Sequence, residues 1–163
     1  MRKMTILLVF AVLLLCAAGC QSPASTQSTA GESSTAEQAR NREDEETMKI
    51  SVKSADYEII YELNNSNAAK TLYEQLPLTV EAEPFSNNEM TFYPPQKLDT
   101  SDTPLSSGEA GTLSYYSPWG DVVMFYDSCN PNGSLYGLGE VVSGKENIEK
   151  LSGTITVGRW KSK

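Results

Sequence analysis

The feature that most constrains the fold is a succession of short β-prone runs separated by turn residues. Strands this short, bounded by Gly, Pro, Asn and Asp and lacking a regular alternation with helices, favour antiparallel pairing over βαβ units. We therefore predict a mainly β domain built as a closed antiparallel barrel of about eight strands. The predicted strands are Met48–Val52, Tyr57–Leu63, Leu78–Glu83, Met90–Tyr93, Gly111–Ser117, Asp121–Asp127, Leu135–Val142 and Thr154–Trp160.

Two short helices are predicted between these strands. The first is capped by one of the residues 64–66, and its apolar residues recur at i, i+3, i+4 and i+7 until Pro77, which cannot continue a helix. The apolar residues of this pattern are Ala69, Leu72, Tyr73 and Leu76. The second is a helical turn over Lys145–Leu151. We expect these helices to cap the ends of the barrel. The polar segment Lys97–Glu109 is long for a loop and is interpreted as a lid, a rim or a disordered segment.

The N-terminal residues have the pattern of a secretory signal peptide. Arg2 and Lys3 precede the apolar run Ile6–Leu15, and small residues lead to Cys20. A run of this length is too short to span a bilayer as a helix, which needs roughly 20 apolar residues. The residues Ala17–Cys20 resemble the lipobox of bacterial lipoproteins, in which the cysteine is acylated and the chain is cut before it. We therefore predict a signal peptide over residues 1–19 and lipidation at Cys20, which would anchor the protein to the outer face of the bacterial cell membrane.

A tether and one domain are predicted after the lipidated cysteine. Residues 20–47 are rich in Ser, Thr, Gln and Glu and include no large apolar side chain before Thr47. Such a segment cannot bury enough apolar surface to offset its ordering entropy, so it is predicted to be disordered. The acidic cluster Glu43–Glu46 is interpreted as a solvated charge run. The remaining residues 48–163 have the size of one domain with one core.

Charge and cysteine content restrict the partners and the stabilising chemistry. The formal net charge is −8, and loss of Arg2 and Lys3 with the signal peptide makes it more negative by two. Nucleic acid is therefore not an expected partner. Cleavage leaves Cys20 and Cys129, and acylation of the first would preclude a disulfide between them. Cys129 lies in a turn-like Ser-Cys-Asn-Pro-Asn-Gly stretch and is interpreted as an inert, partly exposed thiol.

Four stretches of the domain together resemble the small bacterial cyclophilin-like proteins of the cyclophilin fold. The resemblance runs from about residue 49 to residue 160, with the stretches in the same order and at similar spacing. It implies an eight-stranded barrel with helices closing its ends, and relatedness to the peptidyl-prolyl isomerases. The stretches are LNNSNAAKTLYEQLP, NEMTFYPPQKL, GTLSYYSPWGDVVMFY and LYGLGEVVSG.

The same resemblance argues against efficient prolyl isomerisation. True cyclophilins place an arginine beside the prolyl nitrogen of the substrate, and the resemblance would put it within Phe85–Met90, where none occurs. Their groove histidine would fall near Ser134–Tyr136, and the chain contains no histidine. Gln96 stands where the groove glutamine would be. The domain is therefore expected to bind rather than to catalyse, since the isomerisation barrier of about 18–20 kcal/mol requires dedicated groups.

Other catalytic classes and cofactors are not indicated by the sequence. Without histidine the chain has no Ser-His-Asp triad, no Cys-His pair and no imidazole metal ligand. The pair Gly137 and Gly139 is a lone GxG without a third glycine or a crossover helix, so it is not a dinucleotide fingerprint. No metal and no cofactor are predicted, although Glu89, Asp121 and Asp127 leave a mononuclear site open.

Aromatic residues beside turns suggest a binding groove. In the predicted strands 111–117 and 121–127 both faces are apolar, which requires either a covering helix or a groove on the outer face. The family resemblance places Tyr93, Gln96, Tyr116 and Trp119 along that groove, and Glu89 is added as a rim carboxylate able to accept a hydrogen bond from a ligand. The alternative is that these aromatics only pack against the barrel.

The sequence thus predicts a membrane-anchored, extracytoplasmic lipoprotein with a cyclophilin-like domain that binds a Pro-containing peptide or a small ligand. One alternative is a working extracytoplasmic prolyl isomerase that assists the folding of secreted proteins. A second alternative is an accessory domain for a flavodoxin-like redox partner, because related domains accompany such proteins. The chain itself carries no flavin fingerprint.

Overall fold

A computed structural model describes residues 47–162. The predicted signal peptide, Cys20 and the tether up to residue 46 lie outside the described residues. Within the described part, no helix is long and apolar enough to cross a membrane.

Eight strands and two short helices make up the described chain. The strands are β1 (Lys49–Lys53), β2 (Glu58–Leu63), β3 (Leu78–Phe85), β4 (Glu89–Phe92), β5 (Thr112–Tyr116), β6 (Asp121–Phe125), β7 (Leu135–Ser143) and β8 (Gly153–Arg159). The helices are α1 (Asn67–Glu74) and a 3-10 helix (Lys145–Lys150). All eight predicted strands are confirmed, with ends that differ by at most two residues.

The strands close into a barrel in the order β1-β2-β7-β5-β6-β4-β3-β8, and all pairs are antiparallel. The predicted fold class, a closed eight-stranded antiparallel barrel with two short helices, is confirmed. Closure gives every strand two hydrogen-bonded neighbours, so no edge is left open. Because the barrel and its core are completed between residues 49 and 160, this part of the chain forms a self-contained folding unit.

The two helices leave the barrel from opposite ends. Helix α1 follows the end of β2 at Leu63, whereas the 3-10 helix follows Ser143, which pairs with Ile60 near the start of β2. Each helix contributes buried residues to the main core, and these are Ala68, Ala69 and Leu72 from α1 and Ile148 from the 3-10 helix.

Helix α1 ends two residues earlier than its apolar pattern predicted. Leu76 lies beyond the helix, although its side chain still packs in the core. The helix begins at Asn67 after Ser66, whose hydroxyl accepts a hydrogen bond from the Ala69 N–H at 3.4 Å. Its end is consistent with the steric effect of Pro77, which disfavours helical geometry at the residue before it.

The segment Lys97–Glu109 forms an ordered rim rather than a disordered loop. The carboxylate of Asp102 accepts a hydrogen bond from the Asn67 N–H at 2.7 Å, and the hydroxyl of Thr103 accepts one from the Ala68 N–H at 3.2 Å. These bonds satisfy N–H groups that the first turn of a helix leaves without partners. The segment therefore holds the start of α1.

The GxG pair has a packing explanation. A side chain at Gly139 would collide with the backbone carbonyl of Glu62 on the neighbouring strand β2. Glycine is thus required at position 139 by the close approach of two strands.

Candidate functional site

Strands β5 and β6 bury both of their faces. Leu113, Tyr115, Val122 and Met124 point into the barrel and belong to the main core. Val123 and Phe125 point outward and form a second buried cluster with Leu135 of β7. The sequence left open whether a helix or a groove explains these two apolar faces. The structure has a groove, because the outward residues line a pocket and no residue of α1 or of the 3-10 helix belongs to their cluster.

The pocket lies on the outer surface of the barrel and has a volume of about 280 Å³. Its floor is the outward cluster of β6 and β7, and its walls come from the ends of β3, β4 and β5 and from the segment between β6 and β7. Its lining residues are Phe85, Ser86, Asn88, Glu89, Tyr116, Trp119, Asp121, Val123, Phe125, Cys129, Asn130, Asn132 and Leu135.

Backbone hydrogen bonds hold one wall in place. The carbonyl of Asn88, in the β3–β4 turn, accepts hydrogen bonds from the N–H groups of Tyr126 and Asp127 at 3.0 and 3.1 Å. Its side-chain amide donates to the Ser128 carbonyl at 3.3 Å. The chain after β6 is thereby tied to the β3–β4 turn, and the turn carries Glu89 to the edge of the pocket.

Three aromatic rings form one side of the pocket. Trp119, in the β5–β6 turn, lies between Phe85 and Tyr116, with ring centroids 5.1 and 5.3 Å away. The ring planes meet at 82° and 89°, so the rings are in edge-to-face contact and none is stacked in parallel on another. Phe85 and Trp119 remain 46% and 54% exposed, an unusual exposure for large apolar side chains in contact.

Two carboxyl groups share the pocket with these rings. Burial, together with the negative charge of Asp121, raises the pKa of Glu89 to about 7. Burial also raises the pKa of Asp121, which is only 3% exposed. Oδ1 of Asp121 is buried and has no hydrogen-bond partner among the described residues. An ionised carboxylate in this position carries a desolvation cost, and no Arg or Lys of residues 47–162 lines the pocket to offset it.

Cys129 contributes a half-buried thiol to the same pocket. Burial and the nearby Glu89 raise its pKa, which keeps it protonated and poorly nucleophilic. This agrees with its interpretation as an inert thiol. Its backbone N–H donates to the Gly108 carbonyl at 2.8 Å, which ties this wall of the pocket to the rim segment.

The structure brings together three of the five predicted groove residues. Glu89, Tyr116 and Trp119 all line the pocket. Tyr93 and Gln96 do not line it. Tyr93 lies past the end of β4 and is 53% exposed.

Two backbone hydrogen bonds hold Gln96 beside the side chain of Gln75. Its N–H donates to the side chain of Gln75 at 2.9 Å, and its carbonyl accepts from the same side chain at 3.2 Å. These bonds place the segment beside the C-terminal end of helix α1. A role of Gln96 or Tyr93 in contacting a larger ligand stays a prediction.

Sequence reasoning missed Phe85 as a pocket residue and weighed Asp121 only as a metal ligand. Register explains why both belong to the pocket. Phe85 pairs with Glu89 across β3 and β4, and Asp121 pairs with Tyr116 across β5 and β6, so each of them shares the outward face of its partner. The Ser-Pro-Trp-Gly turn before Asp121 was the available signal, because it makes a hairpin in which the flanking residues pair.

No arginine or lysine lines the pocket among residues 47–162. Arg159, on β8, instead lies over the ring of Tyr73, with its guanidinium carbon 4.7 Å from the ring centroid, and donates to the Tyr73 carbonyl. In the described part of the chain, no group of three or more Cys, Asp and Glu side chains has the arrangement of a metal site.

A wider cleft of about 500 Å³ lies between the rim segment and strands β2, β5 and β7. Its walls include the rim residues 104–107, Gly137 and Gly139, and no aromatic ring lines it. Two acidic residues, Glu62 and Glu140, also border it. The cleft is lined by aliphatic rather than aromatic side chains, so it lacks the combination of aromatic rings and carboxyl groups found in the first pocket.

The chain was compared with known families and structures. The sequence profile of the cyclophilin-like family matches residues 52–158. The solution structure of a hypothetical protein from Archaeoglobus fulgidus is similar, with a TM-score of 0.58 and 17% sequence identity over 70% of this chain and 95% of that one. At this identity the likeness shows a shared fold. No curated protein sequence matches the chain.

Proposed function

Because this chain belongs to the cyclophilin-like family, we propose that it is an extracytoplasmic lipoprotein whose barrel binds a ligand in the outer pocket and does not isomerise proline efficiently. The observation that carries the binding role is the exposed aromatic wall of Phe85, Tyr116 and Trp119 beside two carboxyl groups. Large apolar side chains left half-exposed around a concave surface are typical of recognition sites.

The chemistry of the pocket supports binding over catalysis. Isomerisation requires a donor beside the prolyl nitrogen, and the family resemblance would place an arginine within Phe85–Met90. That stretch carries Glu89 instead, a hydrogen-bond acceptor when ionised. No arginine or lysine of residues 47–162 lines the pocket, so the cationic donor that true cyclophilins place beside the prolyl nitrogen is missing from its lining.

Prolyl cis-trans exchange in a peptide tests this part of the proposal. NMR exchange spectroscopy on residues 48–163, which form a complete barrel, would follow a Pro-containing peptide with and without protein. We expect exchange rates equal to those in buffer, and peptide-induced shifts confined to resonances around Trp119. Catalysed exchange that is lost in Trp119→Ala would instead make the domain an isomerase.

Anchoring rests on the sequence of residues 1–20 and has its own test. In cells producing the full chain, we expect the protein in the membrane fraction and labelled by a radioactive fatty acid. The Cys20→Ser variant should lose the label, whereas Cys129→Ser should keep it. Equal labelling of Cys20→Ser and the parent protein would overturn the lipoprotein assignment without affecting the pocket. The role as accessory to a flavodoxin-like partner stays a prediction.

A further inference from the structure

The pocket described above combines two carboxyl groups with partly exposed aromatic rings. Asp121 is 3% exposed, lines the pocket, and leaves Oδ1 without a hydrogen-bond partner among the described residues. Glu89 faces the same space and belongs to neither of the two ion pairs found in residues 47–162. Two buried or half-buried acidic groups with no positive partner are unfavourable in the free protein.

The aromatic wall supplies the complementary element. Phe85, Trp119 and Tyr116 adjoin the carboxyl groups, and their nearly perpendicular planes leave ring surface that no parallel neighbour covers. The face of an aromatic ring carries negative charge density and attracts cations, most strongly when the cation is desolvated. The floor of Val123, Phe125 and Leu135 is apolar, which suits the methyl or methylene groups of an organic cation better than a hydrated metal ion.

From this juxtaposition we propose that the pocket binds an alkylammonium group, with the rings of Phe85, Tyr116 and Trp119 against its methylene or methyl groups and the carboxylates of Asp121 and Glu89 as counter-charges. The inference rests on the proposed binding function and specifies its ligand class. A volume of about 280 Å³ accommodates a quaternary ammonium head group or the end of a lysine side chain. A free quaternary amine and a lysine side chain present the same chemistry, and the choice of probe distinguishes between them.

Two pairs of probes isolate the charge. Choline and 3,3-dimethyl-1-butanol have nearly the same shape, and only choline is charged. N-acetyl-lysine methylamide and N-acetyl-norleucine methylamide form the corresponding pair for a peptide side chain. The readout is the indole N–H resonance of Trp119 in a 15N-labelled domain of residues 48–163. The chain has two tryptophans, so Trp119→Phe assigns the signal.

We expect choline or the lysine derivative to shift the Trp119 resonance and to bind at least about tenfold more tightly than its neutral counterpart. Binding by choline alone would identify a free quaternary amine, and binding by the lysine derivative would identify a protein or peptide ligand. Equal affinities within both pairs would overturn the proposal and leave the pocket as a neutral apolar site.

Isosteric variants test the assigned counter-charges. Glu89→Gln and Asp121→Asn should each weaken binding of the charged probe by about five- to tenfold, without changing that of the neutral one. Glu58→Gln is the matched control, because Glu58 pairs with Lys53 on the opposite side of the barrel. If Asp121→Asn fails to fold, Glu89→Gln decides the point alone, since Glu89 is only partly buried. An unchanged affinity in Glu89→Gln would contradict the assignment.

The pH dependence provides an independent check. Choline keeps its charge at all pH values, so any change in its affinity reports on the protein. Glu89 faces Asp121 from β6, Tyr116 from β5 and the thiol of Cys129, and its pKa lies at about 7. Affinity should therefore fall by about three- to tenfold between about pH 8.5 and about pH 5.5, as Glu89 becomes protonated. Glu89→Gln should abolish most of this change, and a flat profile in the parent protein would contradict the proposal.

The outcomes separate this inference from the function on which it rests. Shifts at Trp119 caused by a Pro-containing peptide, but by neither charged probe, would overturn the alkylammonium assignment and keep the binding function. No shift at Trp119 with any probe or peptide would overturn both.

Discussion

The interior of the barrel and the pocket on its outer face are built from the same strands but differ in what their residues have as neighbours. On β5 and β6, Tyr115 and Met124 point inward and are enclosed by residues from all sides of the barrel. Phe125 and Tyr116, one residue away from them, point outward into a small cluster beside exposed rings. Because successive side chains of a β-strand point to opposite faces, the same two strands contribute one face to the core and the other to the pocket.

Each region contains one buried oxygen without a hydrogen-bond partner in the described chain: Oη of Tyr61 inside the barrel, and Oδ1 of Asp121 in the pocket. Burial raises the pKa of Tyr61 far above its ordinary value, so the interior oxygen stays neutral. Asp121 instead carries a carboxyl group, which can ionise, and burial raises its pKa above the ordinary value. The unpartnered hydroxyl of Tyr61 therefore lowers stability by a fixed amount. The cost of burying the carboxyl of Asp121 instead changes with pH and can be relieved by a ligand.

The largest expected difference between the two regions is in packing. Phe92 and Phe125 are both fully buried, but Phe92 lies in the main core and Phe125 in the outer cluster. We expect Phe92→Ala to lower the free energy of unfolding by about 3–5 kcal/mol, and Phe125→Ala by about 2 kcal/mol, because the outer site can collapse or admit water. Urea unfolding monitored by circular dichroism measures both values. Equal losses would show that the outer cluster is part of the core in energetic terms.

A second pair of variants compares two buried hydroxyls of the interior. Oη of Tyr115 accepts a hydrogen bond from the Leu98 N–H at 3.2 Å, whereas Oη of Tyr61 has no partner in residues 47–162. Tyr115→Phe should cost about 1–2 kcal/mol, because it leaves a buried N–H unsatisfied. Tyr61→Phe should leave the free energy of unfolding unchanged or raise it by up to about 1 kcal/mol.

Thermal and urea unfolding of these two variants under the same conditions would measure the difference. A destabilising Tyr61→Phe substitution would mean that its hydroxyl has a partner such as an internal water, and the contrast with Asp121 would then lose its basis. Binding of the charged probe should be the same in Tyr61→Phe as in the parent protein, since Tyr61 does not line the pocket.

The fold was predictable from the sequence because its signals are local. Each strand is a short apolar or alternating run bounded by turn residues, and Pro77 marks the region in which the main helix must end. Strand order is not local: β7 lies between β2 and β5, and β6 lies between β5 and β4. The sequence predicted a closed barrel of eight strands but did not predict this order, because no local pattern encodes which strands pair.

The candidate site was predictable in part for the same reason. Trp119 and Tyr116 lie in one hairpin, and Glu89 lies on the strand that pairs with that hairpin. Phe85 joins them through the pairing of β3 with β4, which no local pattern encodes. Gln96 does not line the pocket, because its backbone hydrogen bonds to Gln75, 21 residues away, hold the segment beside helix α1. Such contacts depend on tertiary structure and leave no periodic signal.

The smallest expected effect concerns the stability cost of the pocket carboxyl. The pKa of Glu89 rises from 4.5 in the unfolded chain to about 7 in the folded protein, so folding favours the protonated form. Its contribution to stability is complete below about pH 4.5 and is lost as the pH rises through about 7. The Glu89→Gln variant has no carboxyl group to ionise at this position, so its stability does not fall for this reason as the pH rises. We therefore expect the variant to match the parent protein at about pH 4.5 and to exceed its free energy of unfolding by on the order of 1 kcal/mol at about pH 8, a value reduced by solvent screening at the half-buried carboxyl.

Urea unfolding at both pH values checks this expectation, with Glu58→Gln as the control. That variant removes an exposed ion pair of 3.0 Å, so it should lower stability slightly at about pH 8 and never raise it. A Glu89→Gln variant no more stable than the parent protein at high pH would mean that the free protein already compensates this charge. The pocket would then not differ from an ordinary acidic surface, and its rings rather than its carboxylates would have to account for ligand recognition.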